Sequence, residues 1–245
     1  MKTDLAHLRE QDADDALALL DCAIYPAAEA ARLIHVTSTR VRRWLQGYQY
    51  LSASPRGDSE VVRQSPVVRR QGVADRTYAS FLELIDLLFV KQFLDKGITL
   101  QKLRKALEEA AHIYGIQHFA RETFFTDGRG IYLEVKGQGH AIMELLSGGQ
   151  WVIASVIKEL ADQIGFHGTT GLAQRWFPEG RSVPIVIDPS VSFGRPSIVG
   201  RGIATANVYD FFLAENRRIP RVCSWMGLDQ EEVKAAVAFE ERLAA

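Results

Sequence analysis

Nine arginines lie between residues 32 and 76, against only three acids there, Asp58, Glu60 and Asp75, a local net charge of +6. Residues 1–22 run the other way: Lys2 and Arg9 face Glu10 and five aspartates, a net of −4. The whole-chain charge of −1 conceals both blocks. Guanidinium is a planar, permanently charged fork suited to phosphate oxygens, so an all-arginine excess is the footprint expected where a nucleic-acid backbone is contacted. The other reading of the same residues is a solvated basic surface.

No constellation for bond-making chemistry accompanies these arginines. The histidines (His7, His35, His112, His118, His140 and His167) never recur at the i, i+3 or i+4 spacing that builds a metal site on a helix. A nucleophile elbow, a Walker loop and a Cys-x-x-Cys pair are all missing from the sequence. Cys22 and Cys223 stand far apart and are read as packing residues. Glu122, Asp127 and Glu134 fall on an expected hairpin, where a polar face explains them. The expectation is a protein without catalytic residues, metal or cofactor.

The elements that would position the arginines begin with "YPAAEAARLIHVTSTRVRRWLQGY", residues 25–48. Pro26 suits a first helical turn, and Ala30, Ala31 and Leu33 make a small apolar face for a crossing helix. The turn needs a left-handed residue, which falls on His35, and Val36 would plug the space between the helices. Thr37 or Ser38 can cap a second helix. In that helix Val41, Trp44, Leu45 and Tyr48 form the expected buried stripe, with Thr39 and Arg43 opposite and Arg40 and Arg42 on the flanks. Such a helix fits a major groove: Arg43 to a guanine edge, Thr39 to base or phosphate, Arg40 and Arg42 to phosphates. An amphipathic helix with a solvated basic face is the alternative.

Two β-prone runs follow, "EVVRQ" and "PVVRR", in a stretch punctuated by Pro and Gly. "YASFLELIDLLFVKQFLDKG" is then a strongly apolar helix with Phe81, Leu84, Ile85, Leu88 and Phe89 on one stripe, widened by Leu82, Leu87 and Val90. It serves as core or as part of a dimer contact. Gly97 ends it and Thr99 caps the next helix. "ARETFFTDGRGIYLEV" alternates about Asp127-Gly128 as a hairpin, "GQWVIASVIKELADQIGF" reads as strand-to-helix, and "RWFPEG" as a turn. From "VPIVIDP", a strand, the chain enters a turn-rich "SFGRPSIVGRGI" and three helices, "TANVYDFFLAEN", "IPRVCSWMG" and "DQEEVKAAVAFEERL". Asp229, Glu231 and Glu232 would repel phosphate and instead suit a helix N-terminus, so this last unit reads as a protein-contact module.

Residues 25–110 resemble the MerR-like winged helix-turn-helix, with "SPRGDSEVVRQSPVVRR" as the wing and "LDKGITLQKLRKAL" after it. The resemblance makes Thr37, Ser38, Thr39, Arg40, Arg42, Arg43, Arg56, Arg69 and Arg70 the DNA-binding candidates. Residues 187–239 resemble the C-terminal domain of VapB-type antitoxins, domain of unknown function 433, through Asp188, Pro189, Gly194, Pro196, Ile198, Gly200 and Ile203; Arg201 stands where most relatives have threonine. Together these segments resemble VapB-type antitoxins with a MerR-like head. The fold implied is mainly α (α+β): a DNA-binding domain at 24–112, an α/β connecting region at 113–185 and a small helical domain at 186–245. The function implied is an antitoxin and autoregulator, a homodimer on operator DNA that neutralises a PIN-like ribonuclease toxin encoded next door. Arg195, Arg201, Arg217, Arg218 and Arg221 are the toxin-contact candidates. A stand-alone MerR-like regulator with a ligand- or protein-sensing tail is the second reading. The polar, acidic start and the lack of long apolar runs point to a cytoplasmic protein without a membrane span.

Overall fold

The computed structural model describes residues 18–22, 24–53, 59–68, 77–105, 108, 118, 120, 156, 159–168 and 170–244. They fall into two compact units, one drawn from residues 23–157 and the other from 1–22 with 158–245. The architecture is mixed α+β, helices accompanied by two-stranded antiparallel pairs. Among the described residues no helix is long and apolar enough to cross a membrane.

The first unit opens with β1 (Tyr25–Pro26), α1 (Ala27–Leu33) and α2 (Ser38–Gln46). Ala30, Ala31 and Leu33 of α1 are buried, as is Ile34 in the turn, so two small residues let α2 cross closely. A hairpin follows, β2 (Tyr48–Ala53) against β3 (Ser59–Gln64), in register from Tyr48↔Gln64 to Ala53↔Ser59. This hairpin departs from expectation at both ends. Its first strand begins at Tyr48, which was expected to extend the helical stripe. "PVVRR" does not supply a strand in its described part: the N–H groups of Val67 and Val68 donate to the Trp44 carbonyl (2.8 and 3.2 Å), seating both buried valines under the C-terminus of α2.

β4 (Tyr78–Ala79) pairs with β1 and leads into α3 (Phe81–Asp95). Ser80 and Glu83 close a reciprocal capping box at its start: Glu83 N–H donates to Ser80 Oγ and Ser80 N–H to Glu83 Oε2. Residues 81–90 are all buried, wider than one stripe, as the crowding of leucine and phenylalanine predicts. Lys96 and Gly97 (φ +85°) end the helix, and Thr99 Oγ1 accepts from the Lys102 N–H at 3.4 Å as a new helical turn begins. The expected hairpin over 121–136 lies outside the described residues.

In the second unit, β5 (Ile164–Phe166) pairs with β6 (Ala173–Trp176), with a register shift between Gly165 and Phe166. "QIGF" therefore ends in strand rather than helix, because Ile164 is completely buried and bonded across to Trp176. Trp176 also bridges Ile187, which carries the ladder to β7 (Ile185–Val186) and β8 (Ser197–Ile198). Helices α4 (Thr205–Ala214), α5 (Ile219–Met226) and α6 (Gln230–Ala244) follow as the periodicity predicts. Val208 and Phe212 of α4, Val222 of α5 and Val233, Ala236 and Phe239 of α6 are buried in this unit's core with Ile185, Ile187 and Ile198. Burial of this size is the main stabilising term for so small a unit.

Candidate nucleic-acid interface

The α1–α2 turn is built as its residue types predict. His35 takes a left-handed conformation (φ +54°), and the N–H of Val36 reaches back to the Ala31 carbonyl at 2.9 Å. Val36 itself is half-buried. Thr37, not Ser38, is the cap: its Oγ1 accepts from the Arg40 N–H at 3.3 Å. Ser38 is half-buried at the first position of α2.

Along α2, Val41, Trp44 and Leu45 are buried, while Thr39, Arg40, Arg42 and Arg43 are all exposed. Three successive buried positions at helical spacing fix the rotation of the helix, and the basic face must then point outward. Arg43 lies over the ring of Tyr48, 5.1 Å from its centroid, and that ring is tilted against Tyr50 at 6.0 Å. A cation held over an aromatic face keeps its charge while losing rotamer freedom, which preorients it. The side chains of Thr39, Arg40 and Arg42 make no hydrogen bond or ion pair with other described residues and are free to meet a ligand.

The hairpin is attached to α2 through Gly47, whose backbone (φ +76°, ψ −173°) lies in a region that only glycine adopts at ease. A Cβ there would stand 2.3 Å from the Gln64 carbonyl oxygen. The chain thus leaves the helix and enters β2 in the space of one residue, and this sharp exit is why Tyr48 is not helical. On β3, Arg63 is exposed beside the exposed cross-strand pair Leu51 and Val61. Arg63 was not among the expected contacts, although the alternation in "EVVRQ" places it on the same strand face as Val61. Arg56, Arg69 and Arg70 lie outside the described residues.

At the hairpin's root, Arg104 Nη1 donates to Gln64 Oε1 at 2.8 Å. Its Nε and Nη2 are buried with no hydrogen-bond partner among the described residues. Local sequence did not point to this residue, since its partner lies 40 positions away. A second buried polar contact, Asp86 Oδ2 with His118 Nδ1 at 2.7 Å, ties α3 to a residue beyond the apolar helix.

The tail arginines divide into two groups. Arg201, although exposed, is held by an ion pair within its own domain: its Nε and Nη2 donate to Glu232 Oε1 and Oε2 (2.8 and 3.3 Å). Hydrogen bonding to Glu232 raises the Arg201 pKa above its ordinary value, with the same carboxylate's charge adding to the effect and Asp229 contributing less. Glu232 also accepts from the Asp229 N–H while Asp229 accepts from the Glu232 N–H, both at 2.8 Å, closing the α6 N-terminus as the acid-rich start predicts. Arg221 pairs with Glu215 at 2.9 Å. Arg195, Arg217 and Arg218 are exposed and form no side-chain bond with described residues.

The residues of the glycine-rich turn have structural work. Buried Asp188 accepts from Arg175 Nε at 2.8 Å and from the Ser190 N–H at 2.9 Å, and Ser192 Oγ donates to the Gly202 carbonyl at 2.7 Å. Gly200 (φ +72°) turns the chain between β8 and the start of α4.

Residues 185–239 match the model of a protein family of unknown function, DUF433. A Mycobacterium tuberculosis protein named as antitoxin VapB45 is 23% identical over 77% of this chain and 82% of its own length. An uncharacterized HTH-type transcriptional regulator of Mycobacterium bovis is 32% identical over 40% of this chain, which spans 44% of that relative. The crystal structure of Rv2018 from Mycobacterium tuberculosis covers 89% of this chain and 99% of its own with a TM-score of 0.64 at 19% identity, a likeness of fold. The chain is thus similar to VapB-type antitoxins, with a helix-turn-helix head and a DUF433 domain towards its carboxy terminus.

Proposed function

We propose that the protein is an antitoxin that binds its own operator and neutralises a PIN-like ribonuclease encoded by the adjacent gene. The exposed face of α2 carries this reading: Thr39, Arg40, Arg42 and Arg43 stand together, outward and available, on a helix whose opposite face is locked into a core. In the proposal, 24–112 is a winged helix-turn-helix DNA-binding domain, with the β2–β3 hairpin as wing and Arg56, Arg69 and Arg70 adding phosphate contacts alongside Arg63. Thr37 and Ser38 contribute at the N-terminus of the reading helix, where backbone N–H groups favour phosphate. The protein acts in the cytoplasm as a homodimer, because paired half-sites multiply the specificity of one small head. Residues 113–185 connect to the 186–245 domain, which holds the toxin through arginines drawn from Arg195, Arg201, Arg217, Arg218 and Arg221.

The DNA half is tested by fluorescence anisotropy with the duplex upstream of the protein's own gene. Arg40→Ala with Arg43→Ala should weaken binding and lower the slope of log K against log salt by roughly one unit per lost phosphate contact. Unchanged affinity and slope would remove DNA recognition from α2. Similarity to HTH-type transcriptional regulators supports a second reading, a stand-alone regulator with a sensing tail. Under that reading the neighbour-encoded protein does not bind, and a small ligand raises the melting temperature.

A further inference from the structure

Helix α5 is eight residues long and buries one side chain, Val222. Arg218 at the cap, Arg221 and Trp225 are exposed and fall within about 60° of each other at 100° per residue. Trp225 is 76% exposed, although tryptophan ordinarily supplies one of the largest apolar surfaces a core can bury. At the start of the helix, Arg217, Arg218, Ile219, Pro220, Arg221 and Gln230 line an open cavity of about 510 Å³.

The approach to this helix is held rigidly in a costly conformation. Asn216 (φ +53°) and Arg217 (φ +61°) are successive left-handed residues, neither of them glycine. Backbone bonds from Asn216 to the Leu213 carbonyl (3.1 Å), Arg217 to Phe212 (2.8 Å) and Arg218 to Glu215 (3.2 Å) keep them so. Glu215 engages Arg221, and the other two guanidiniums around the cavity, those of Arg217 and Arg218, have no ion-pair partner among the described residues. The carboxylate of Asp229 is turned onto the Glu232 N–H.

We infer that this face of α5 is a docking surface for a carboxylate-bearing protein, with Trp225 as its apolar anchor and Arg217 and Arg218 as its free cations. Tryptophan and arginine are residue types that dominate protein-interface energetics, and the backbone leading into this helix is already held by its own hydrogen bonds, so ordering on binding falls on the side chains. Charge complementarity selects the partner: its carboxylates meet the two exposed guanidiniums at the start of α5, and its apolar surface covers the indole two turns further on. The inference rests on the antitoxin reading for the partner's identity, and it assigns that partner's seat.

The test uses the full chain and the product of the adjacent reading frame, purified together and then titrated. Trp225→Ala and the pair Arg217→Glu with Arg218→Glu should each weaken association by ~30-fold or more. Phe193→Ala, which removes a 90% exposed aromatic elsewhere in the same unit, should leave it within ~3-fold. Melting temperatures of all variants should match the wild type, since the altered side chains are exposed. Should Trp225→Ala unfold, acrylamide quenching of wild type against Trp225→Phe replaces it, and Trp225 must become protected in the complex. Wild-type binding that neither α5 variant weakens overturns the docking surface and leaves the antitoxin reading standing. Failure of the wild type to bind overturns both. Loss of DNA affinity in the α5 variants, with partner binding intact, reassigns the patch to nucleic acid and overturns the inference.

Discussion

Gly47 and Gly97 allow two contributions to be separated, because both have positive φ (+76° and +85°) but only one is crowded. A Cβ at Gly97 meets nothing within 4 Å, so Gly97→Ala incurs only the backbone penalty, about 1–2 kcal/mol. At Gly47 the new Cβ would lie 2.3 Å from the Gln64 carbonyl oxygen, 3.1 Å from the Pro66 nitrogen and 3.2 Å from the Ser65 carbonyl carbon. All three are backbone atoms, so the strand must move bodily. That movement disturbs the Tyr48↔Gln64 pair and the Arg104–Gln64 bond together. Gly47→Ala should therefore cost about 1–3 kcal/mol for its backbone region and about 1–3 kcal/mol more for overpacking. Urea unfolding followed by circular dichroism measures each variant, and hydrogen exchange on peptides spanning α2 and β3 locates the loss. Gly47→Ala should also weaken DNA binding without touching an arginine. If the two alanine variants unfold at the same urea concentration with the same slope, the close approach at Gly47 is wrong and so is the account of the α2–β2 exit.

Four further outcomes follow from particular contacts. Thr37→Ala should lower stability by about 1 kcal/mol through loss of the cap, whereas Thr39→Ala should leave the melting temperature unchanged while altering DNA affinity; a reversed pattern would exchange their roles. Asp229→Ala should cost about 1 kcal/mol by opening the α6 N-terminus, read by thermal unfolding, and no loss would remove that cap from the tail's stability. Arg104→Leu should cost no more than about 1 kcal/mol in urea unfolding, because the bond to Gln64 disappears along with two buried donors that have no partner among the described residues; a larger loss would mean that those donors are satisfied. The contribution of Arg201, whose pKa is raised, is fully present below the ordinary arginine value and is lost only as pH rises through the higher folded value. The melting difference between wild type and Arg201→Met should accordingly stay constant from about pH 6 to about pH 9, and a change across that window would assign the difference to another group.

Much of this architecture was legible locally. Val41, Trp44 and Leu45 at helical spacing determine which side of α2 is buried, and therefore that Thr39, Arg40, Arg42 and Arg43 face outward. His35 was placed in the left-handed turn because it stands where the chain must reverse and tolerates that conformation. The apolar crowding of residues 81–90 and the acids before α6 likewise act within a few residues of themselves, so periodicity and capping chemistry suffice to read them. Tertiary structure decided the rest. Tyr48 continues the helical spacing but enters a strand, because Gly47 turns the backbone against Gln64, 17 positions on. Val67 and Val68 look like a strand but bond to the Trp44 carbonyl instead. Arg201 resembles Arg217 in the sequence, yet Glu232, 31 residues away, holds the first and leaves the second exposed. Trp225 carries an apolar side chain into solvent although Val222, three positions before it and close to it around the helix, is buried, a difference that helical spacing alone does not encode. Spacing along the chain encodes which side of an element is apolar, but a side chain's availability depends on partners that only folding brings within hydrogen-bond distance.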